Sequence, residues 1–288
     1  MKRDRSLRIA GMIFVVPALI FFLVFRFIPA LMGGLMSLTD YKISGQFDFI
    51  GLDNYVRLAS DGTFWRALGV SALYAVMAVP LGAALSVFFA VLTRRISRTN
   101  TFFQSIYFLP AITSGIVTGI VFRWVFSSAG PWPALMRAIG FPVELWLASE
   151  VFALPAIVLT GAWSFGFGMF IILAKLREIP PEIEEAATLD GAGPVRQFFS
   201  ITLPELRLPL EFMIITGLVA ALQVFDTVYV MTGGGPANAT YTVAMQVYQQ
   251  GFRYFDFGYA AAIGMALFAV TLAITAVQRF ILRWRDRA

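Results

Sequence analysis

Five long stretches of this chain carry no charged residue at all: Ile9–Phe25, Ala67–Thr93, Thr99–Phe122, Val151–Ala174 and Phe257–Gln278. A sixth, Phe212–Phe225, continues to Met231 past a single acid, Asp226. About 20 apolar residues at about 1.5 Å per residue cross a hydrocarbon core of about 30 Å. Six such runs predict six membrane helices, and they leave too little polar sequence for a soluble globule. Composition agrees: 14% of residues are charged and the mean hydropathy is +0.77, against about 25% charged for ordinary soluble domains.

The cations are placed as membrane topology requires. Four lie in the N-terminal tail, three in Arg94–Arg98, four in Lys175–Arg207 and four in Arg279–Arg287, fifteen in all. The intervening connections 37–67, 127–150 and 232–256 hold five. Lys and Arg mark cytoplasmic connections, so both termini are expected inside. The net charge of +5 is then an orientation signal, and no nucleic-acid partner is implied. The first run is too long, and lacks the small-residue cleavage site, to be a removed signal peptide. Cysteine is absent and so is histidine, which removes the commonest general base and metal ligand. No catalytic residue and no metal ligand is predicted.

The expected fold is all-α, a single polytopic membrane domain over 1–288. Its spans lie at about 9–36, 67–93, 102–126, 150–175, 206–231 and 257–283. Prolines 17, 29, 80, 110 and 155 lie inside the predicted spans, where neighbouring helices and water satisfy the backbone groups they free. The segment "FDFIGLDNYVRLASDGTFWRALG" mixes aromatic and polar residues and suits the outer interface.

Between spans 4 and 5 stands "LREIPPEIEEAATLDGAGPVRQFFSITLPELRLPL". Pro180–Pro181 sets a helix start, and Glu182, Glu184 and Glu185 follow where the positive end of the helix dipole favours acids. Gly191 falls where a helix ends in a left-handed residue, and a second short helix follows Pro194. Two such helices have too little apolar surface to stand alone. Either the chain's own helices or a partner must cover the Ile183/Ala187 face.

Glu185-Ala186-Ala187, three residues, Gly191, nine residues, then Ile201-x-Leu203-Pro204 match the "EAA" signature of binding-protein-dependent ABC importer permeases. The chain resembles the maltose-type sugar permeases along its whole length. "FIGLDNYVRL" (49–58), "FDTVYVMTGGGP" (225–236) and the last two spans carry further likeness. The resemblance implies that the loop, about 178–204, forms two cytoplasmic coupling helices that fit a groove on a separate ATP-binding subunit. Glu185, Ala186, Ala187, Gly191, Ile201, Leu203 and Pro204 would make that contact. It also implies a sister permease with its own such loop, two ATP-binding subunits and an extracytoplasmic solute-binding protein around a bilayer-embedded pair. The chain has no GxxxxGK[ST] loop, so it needs no cofactor of its own, and ATP with Mg would be held by the partner ATPase. "TGGGPANAT" lacks the lysine of a phosphate loop.

Asp226 is costly inside a membrane and is expected to face a cavity or to cap a helix at the outer end. Gln223, three residues earlier, would share its face on a continuous helix. Family resemblance favours the cavity for both. Trp163, Gly166 and Phe167 offer an aromatic platform beside a small residue, with helix packing as the alternative. Thr113 and Ser114, after Pro110, offer hydroxyls to the pathway or to their own backbone. Arg26, about 26 Å along the helix from Ile9, reads as snorkelling to the outer interface. The solute expected is a sugar or related polyol. Rival readings are a permease for glycerol phosphate or another small solute, a membrane-embedded enzyme and a stand-alone secondary transporter. The last two lack, respectively, a catalytic cluster outside the EAA loop and inverted repeats.

Overall fold

The computed structural model describes residues 2–42, 45, 47–94, 98–141 and 145–285. Arg95 and Arg287, two of the cations counted for orientation, lie outside the described residues. Among the described residues the chain is all-helical, with only isolated bridges such as Thr39 with Phe49. In chain order the first elements are α1 (Lys2–Phe22), a π-turn (Leu23–Phe27), α2 (Ile28–Met36), α3 (Asp53–Ser60) and α4 (Gly62–Leu92). Next come α5 (Arg98–Phe108), α6 (Gly115–Val125), α7 (Pro131–Ala138), α8 (Ala153–Ala162) and α9 (Gly166–Glu178). The remainder are α10 (Pro181–Leu189), α11 (Pro194–Gln197), α12 (Leu203–Glu205), α13 (Arg207–Leu222), α14 (Asp226–Met231), α15 (Val243–Tyr248) and α16 (Phe257–Arg285).

Three helices are long and apolar enough to cross a membrane alone: Met12–Met36, Gly62–Leu92 and Phe257–Phe280. Two more candidates are bent pairs. Thr99–Ile112 and Gly115–Val125 meet at 101°, and Ala153–Ala162 and Gly166–Glu178 at 46°. Uninterrupted helices over 102–126 and 150–175 are therefore not what forms. Pro110 cannot donate a helical hydrogen bond, the chain tightens into a 3-10 turn over Leu109–Ile112, and Ser114 Oγ caps α6 by accepting from Ile116 N at 3.3 Å. The second break has no proline. Packing makes it: the Phe165 ring stacks on Phe89 at 4.5 Å, and a Cβ on Gly166 would stand 2.1 Å from the Tyr107 carbonyl oxygen.

The stretch 206–231 is likewise two helices. The 16 residues of α13 rise only about 24 Å, and Gln223–Phe225 separates them from α14. The halves of the three broken segments sort into two sets. In one, α9 packs on both α5 and α13; in the other, α6, α8 and α14 all touch one another. Gly115 and Gly119, four apart on α6, give α14 its close approach, with Val230 Cβ 3.2 Å from where a Gly119 Cβ would stand. Small residues spaced four apart permit this kind of contact.

By its internal contacts the chain divides into two compact units, Met1–Phe64 with Gln246–Val270, and Trp65–Met245 with Thr271–Ala288. In the second, Met169, Ile172, Leu173 and Leu176 of α9 bury against Val87, Ala90 and Leu206. In the first, Asn54 Nδ2 donates to the Ser37 and Thr39 carbonyls at 2.9 and 2.8 Å, which ties α3 to the end of α2. Arg57 pairs with Asp256 at 2.7 Å and lies over the Tyr259 ring. Asp61 accepts from Tyr259 Oη and Gln246 Nε2 at 2.7 and 2.9 Å. Burial pushes the Asp61 carboxyl up, but the bond from Tyr259 and those from Thr63 and the Phe64 backbone hold it below its ordinary value.

Candidate functional site

The segment between α9 and α13 folds as its spacing predicts. Pro181 opens α10, and Glu182 and Glu184 lie in its first turn. The helix ends in a Schellman motif: Ala192 N donates to Ala187 O at 2.9 Å and Gly191 N to Thr188 O at 3.0 Å, with Gly191 at φ +78°. This pair of hydrogen bonds satisfies two carbonyls the helix would otherwise leave open. Gln197 Nε2 then reaches back to Thr188 Oγ1 and Ala192 O at 2.9 and 2.8 Å, fixing α11 against α10. A π-turn over Phe198–Thr202, containing Ile201, carries the chain into Leu203–Pro204.

Two ion pairs hold this segment to the spans. Arg94, just past α4, binds Glu184 at 2.5 Å, and Lys175 on α9 lies 3.7 Å from Glu205, besides meeting Glu178 of its own helix at 3.3 Å. Arg94 was not singled out in the sequence, because nothing local says which of three neighbouring acids a cation ninety residues away will meet. Glu185 and Ala186 are exposed and Ala187 is half-buried. Leu189 is 90% exposed, Val195 70% and Phe199 62%. The chain's own helices thus leave much of the segment's apolar surface uncovered.

Among α4, α8, α9 and α13 lies a cavity of about 470 Å³. Glycines make it: Gly82, Gly161, Gly168 and Gly217 all line it. Its polar groups are the hydroxyls of Tyr74, Ser86, Ser164 and Thr216, and none of its lining residues is charged. Ser86 Oγ is already engaged, donating toward the Gly82 and Phe165 carbonyls at 2.7 and 3.0 Å. Thr216 Oγ1 donates to Phe212 O at 2.8 Å. Sequence reading missed all four hydroxyls, since each stands alone in apolar sequence; the small residues around them were the visible signal.

Of the residues the sequence proposed for the pathway, Phe167 lines this cavity, as does Val224 beside Gln223. Trp163 instead sits edge-on to Phe122 at 5.8 Å, and Gly166 is the contact with Tyr107. Thr113 Oγ1 bonds its own Leu109 carbonyl at 3.0 Å. Gln223 and Asp226 do not share a helix face: Gln223 ends α13 and Asp226 opens α14. Asp226 meets the break of the third span, its Oδ2 3.1 Å from where a Cβ on Gly115 would be. Ser114 and Asp226 therefore come together at the foot of α6, each exposed, and among the described residues no hydrogen bond or ion pair engages the carboxylate.

Residues 82–287 match the family described as "Binding-protein-dependent transport system inner membrane component". "Probable ABC transporter permease protein YesP" of Bacillus subtilis is 32% identical over 96% of this chain and 92% of its own length. "Multiple sugar-binding transport system permease protein MsmF" of Streptococcus mutans is 32% identical over 93% of each chain. The fold is that of a chain in the crystal structure of a bacterial ABC transporter involved in the import of the acidic polysaccharide alginate, with TM-score 0.82, 21% identity and 98% and 99% of the two chains covered. The chain belongs to this family of binding-protein-dependent inner-membrane transport components. It is a multi-pass permease subunit of an importer, and its relatives are named as transport proteins, not enzymes.

Proposed function

We propose that this permease forms half of the translocation pathway for a neutral sugar or polyol, and that α10 to α12 couple it to a separate ATPase. The observation that carries the reading is the EAA segment itself. It is shaped by a Schellman turn, pinned by Gln197, anchored by Arg94, and presents Glu185, Ala186 and uncovered apolar side chains outward. In this reading the ATPase groove covers that surface, ATP and Mg stay on the ATPase, and this chain needs no cofactor. Six passages, three of them broken, put both termini and the segment in the cytoplasm, in keeping with the charge count. A sister permease and two ATPases complete the complex, and a binding protein delivers solute from outside.

The cavity among α4, α8, α9 and α13 is the pathway's best candidate within this chain. Hydroxyls and an aromatic ring without charge suit a polyol, and the sugar-related names of relatives such as MsmF point the same way. The breaks at Thr113–Ser114, 163–165 and 223–225 sit between two helix sets, so one set can tilt with the coupling segment while the other stays. Reconstitution tests the reading. Proteoliposomes holding this chain, its sister and the ATPase should take up labelled sugar only with ATP and binding protein. Uptake by this chain alone, or labelling of a Thr188→Cys variant by an impermeant reagent in intact cells, would overturn it.

A further inference from the structure

The EAA segment is joined through the chain to α9 before it and to α13 after it. The structure gives it a further attachment, to α4. Arg94 Nη1, just past α4, donates to Glu184 Oε1 at 2.5 Å, with the two side chains 27% and 28% exposed. Glu182 and Glu185 beside it are exposed, so one acid of three is drawn back to the spans while two stay at the surface. Thr188 Oγ1 donates to the Glu184 carbonyl at 2.8 Å and accepts from Gln197 Nε2 at 2.9 Å, which extends the attachment to α11.

Further contacts tie the same end of α4 to its neighbours. Gln104 of α5 is 5% exposed. Its Nε2 donates to the Thr93 carbonyl at 2.8 Å, and its Oε1 accepts from Arg177 Nη2 of α9 at 3.4 Å. One turn earlier, the Phe89 ring lies 4.7 Å from Tyr107 of α5 and 4.5 Å from Phe165, just before α9. All of these residues belong to the second compact unit. A buried amide is left unsatisfied if a neighbour moves away, and close-packed rings transmit a displacement. The end of α4, α5, α9 and α10 are therefore tied to one another, whereas α5 parts from α6 at the 101° break.

We propose that Arg94 is a positioning residue: through Glu184 it clamps α10 to α4 and α5, so that a displacement of α10 carries α5 with it and the third span flexes at Thr113–Ser114. This rests on the reading that the EAA segment docks on an ATPase. The chain joins α5 to the segment only by way of α6 to α9. Without the ion pair, α5 would follow α10 only through the ring packing and the long Arg177 contact.

The cysteine-free chain makes the test direct. Spin labels on Ser105→Cys of α5 and Ile120→Cys of α6, both exposed positions, report the distance across the break. The sample is the whole complex with cysteine-free partners, with and without a non-hydrolysable ATP analogue and Mg. In the otherwise unmodified chain the analogue should shift that distance. Arg94→Gln or Glu184→Gln should lower the shifted population by about three- to tenfold, as for a pair between the exposed and buried limits, with the ATPase still bound. The double Gln variant should lose no more than either single one, Arg94→Lys should keep part of the shift, and Arg94→Glu with Glu184→Arg should recover more than either reversal alone. A merely structural contact, or a Glu184 that serves only the ATPase, would show no such recovery. A full shift in both Gln variants, no shift in the unmodified chain with the ATPase bound, or a swap no better than its single reversals overturns the clamp. If the unmodified complex binds no ATPase, the coupling reading itself falls, and the clamp falls with it.

Discussion

Replacing Gly191 isolates the turn that shapes the proposed coupling segment. Its φ of +78° lies in the left-handed region, and a Cβ built there would meet nothing within 4 Å. The penalty for a side chain is therefore conformational alone, with no clash to confuse it. For ordinary residues the left-handed conformation costs about 1–2 kcal/mol, and Asn bears it more readily. That shifts the balance between formed and unformed turn by about 5- to 30-fold. Without the turn, the bonds from Ala192 N and Gly191 N are lost, Gln197 loses the geometry that reaches Ala192 O, and α11 no longer sits against α10. Uptake normalised to assembled complex should fall in the order Gly, Asn, Ala, Val, with ATP hydrolysis progressively uncoupled from transport. Proteoliposome uptake and ATPase activity measured on the same preparations give the order. Normal uptake by Gly191→Val refutes the reasoning. So does equal loss by Asn, Ala and Val, because the greater tolerance of Asn for the left-handed region would then make no difference.

Gly166→Ala forces a Cβ to within 2.1 Å of the Tyr107 carbonyl and 3.0 Å of Phe108 Cα, backbone atoms that cannot rotate away. Overpacking of this kind costs about 1–3 kcal/mol, so the yield and thermal stability of the complex should drop, while the KM of whatever complex survives stays as it was. A raised KM with full stability would instead put Gly166 at the solute. Asp226→Ala removes a carboxylate at the foot of α6; if solute hydroxyls bond it, uptake should fall by about ten- to a hundredfold, since a bond to a charged group is worth about 1.5–3 kcal/mol. Near-normal uptake, measured with labelled solute, would leave Asp226 as a helix cap.

The membrane class, the EAA segment and its helix ends were legible because their signals are local. Charge-free runs predict spans regardless of neighbours, Pro181 and Gly191 bound a helix through their own backbone restrictions, and the helix dipole draws Glu182 and Glu184 to its start. The breaks were legible only in part. Pro110 hints at the 101° bend, but nothing in "GAWSFGFGMF" says that Phe165 will stack on Phe89, which lies 76 positions away, or that Gly166 will press on Tyr107. The separation of Gln223 from Asp226 was invisible for the same reason: α13 ends without proline or glycine, so its stop belongs to the packing of α14 on α6. The sequence by itself determined that this chain is a membrane permease with a turn-capped EAA segment, because those features are written in residues close together along the chain. The tertiary structure decided where spans bend, which hydroxyls share a cavity and which acid Arg94 meets, because each depends on contacts between residues distant along the chain.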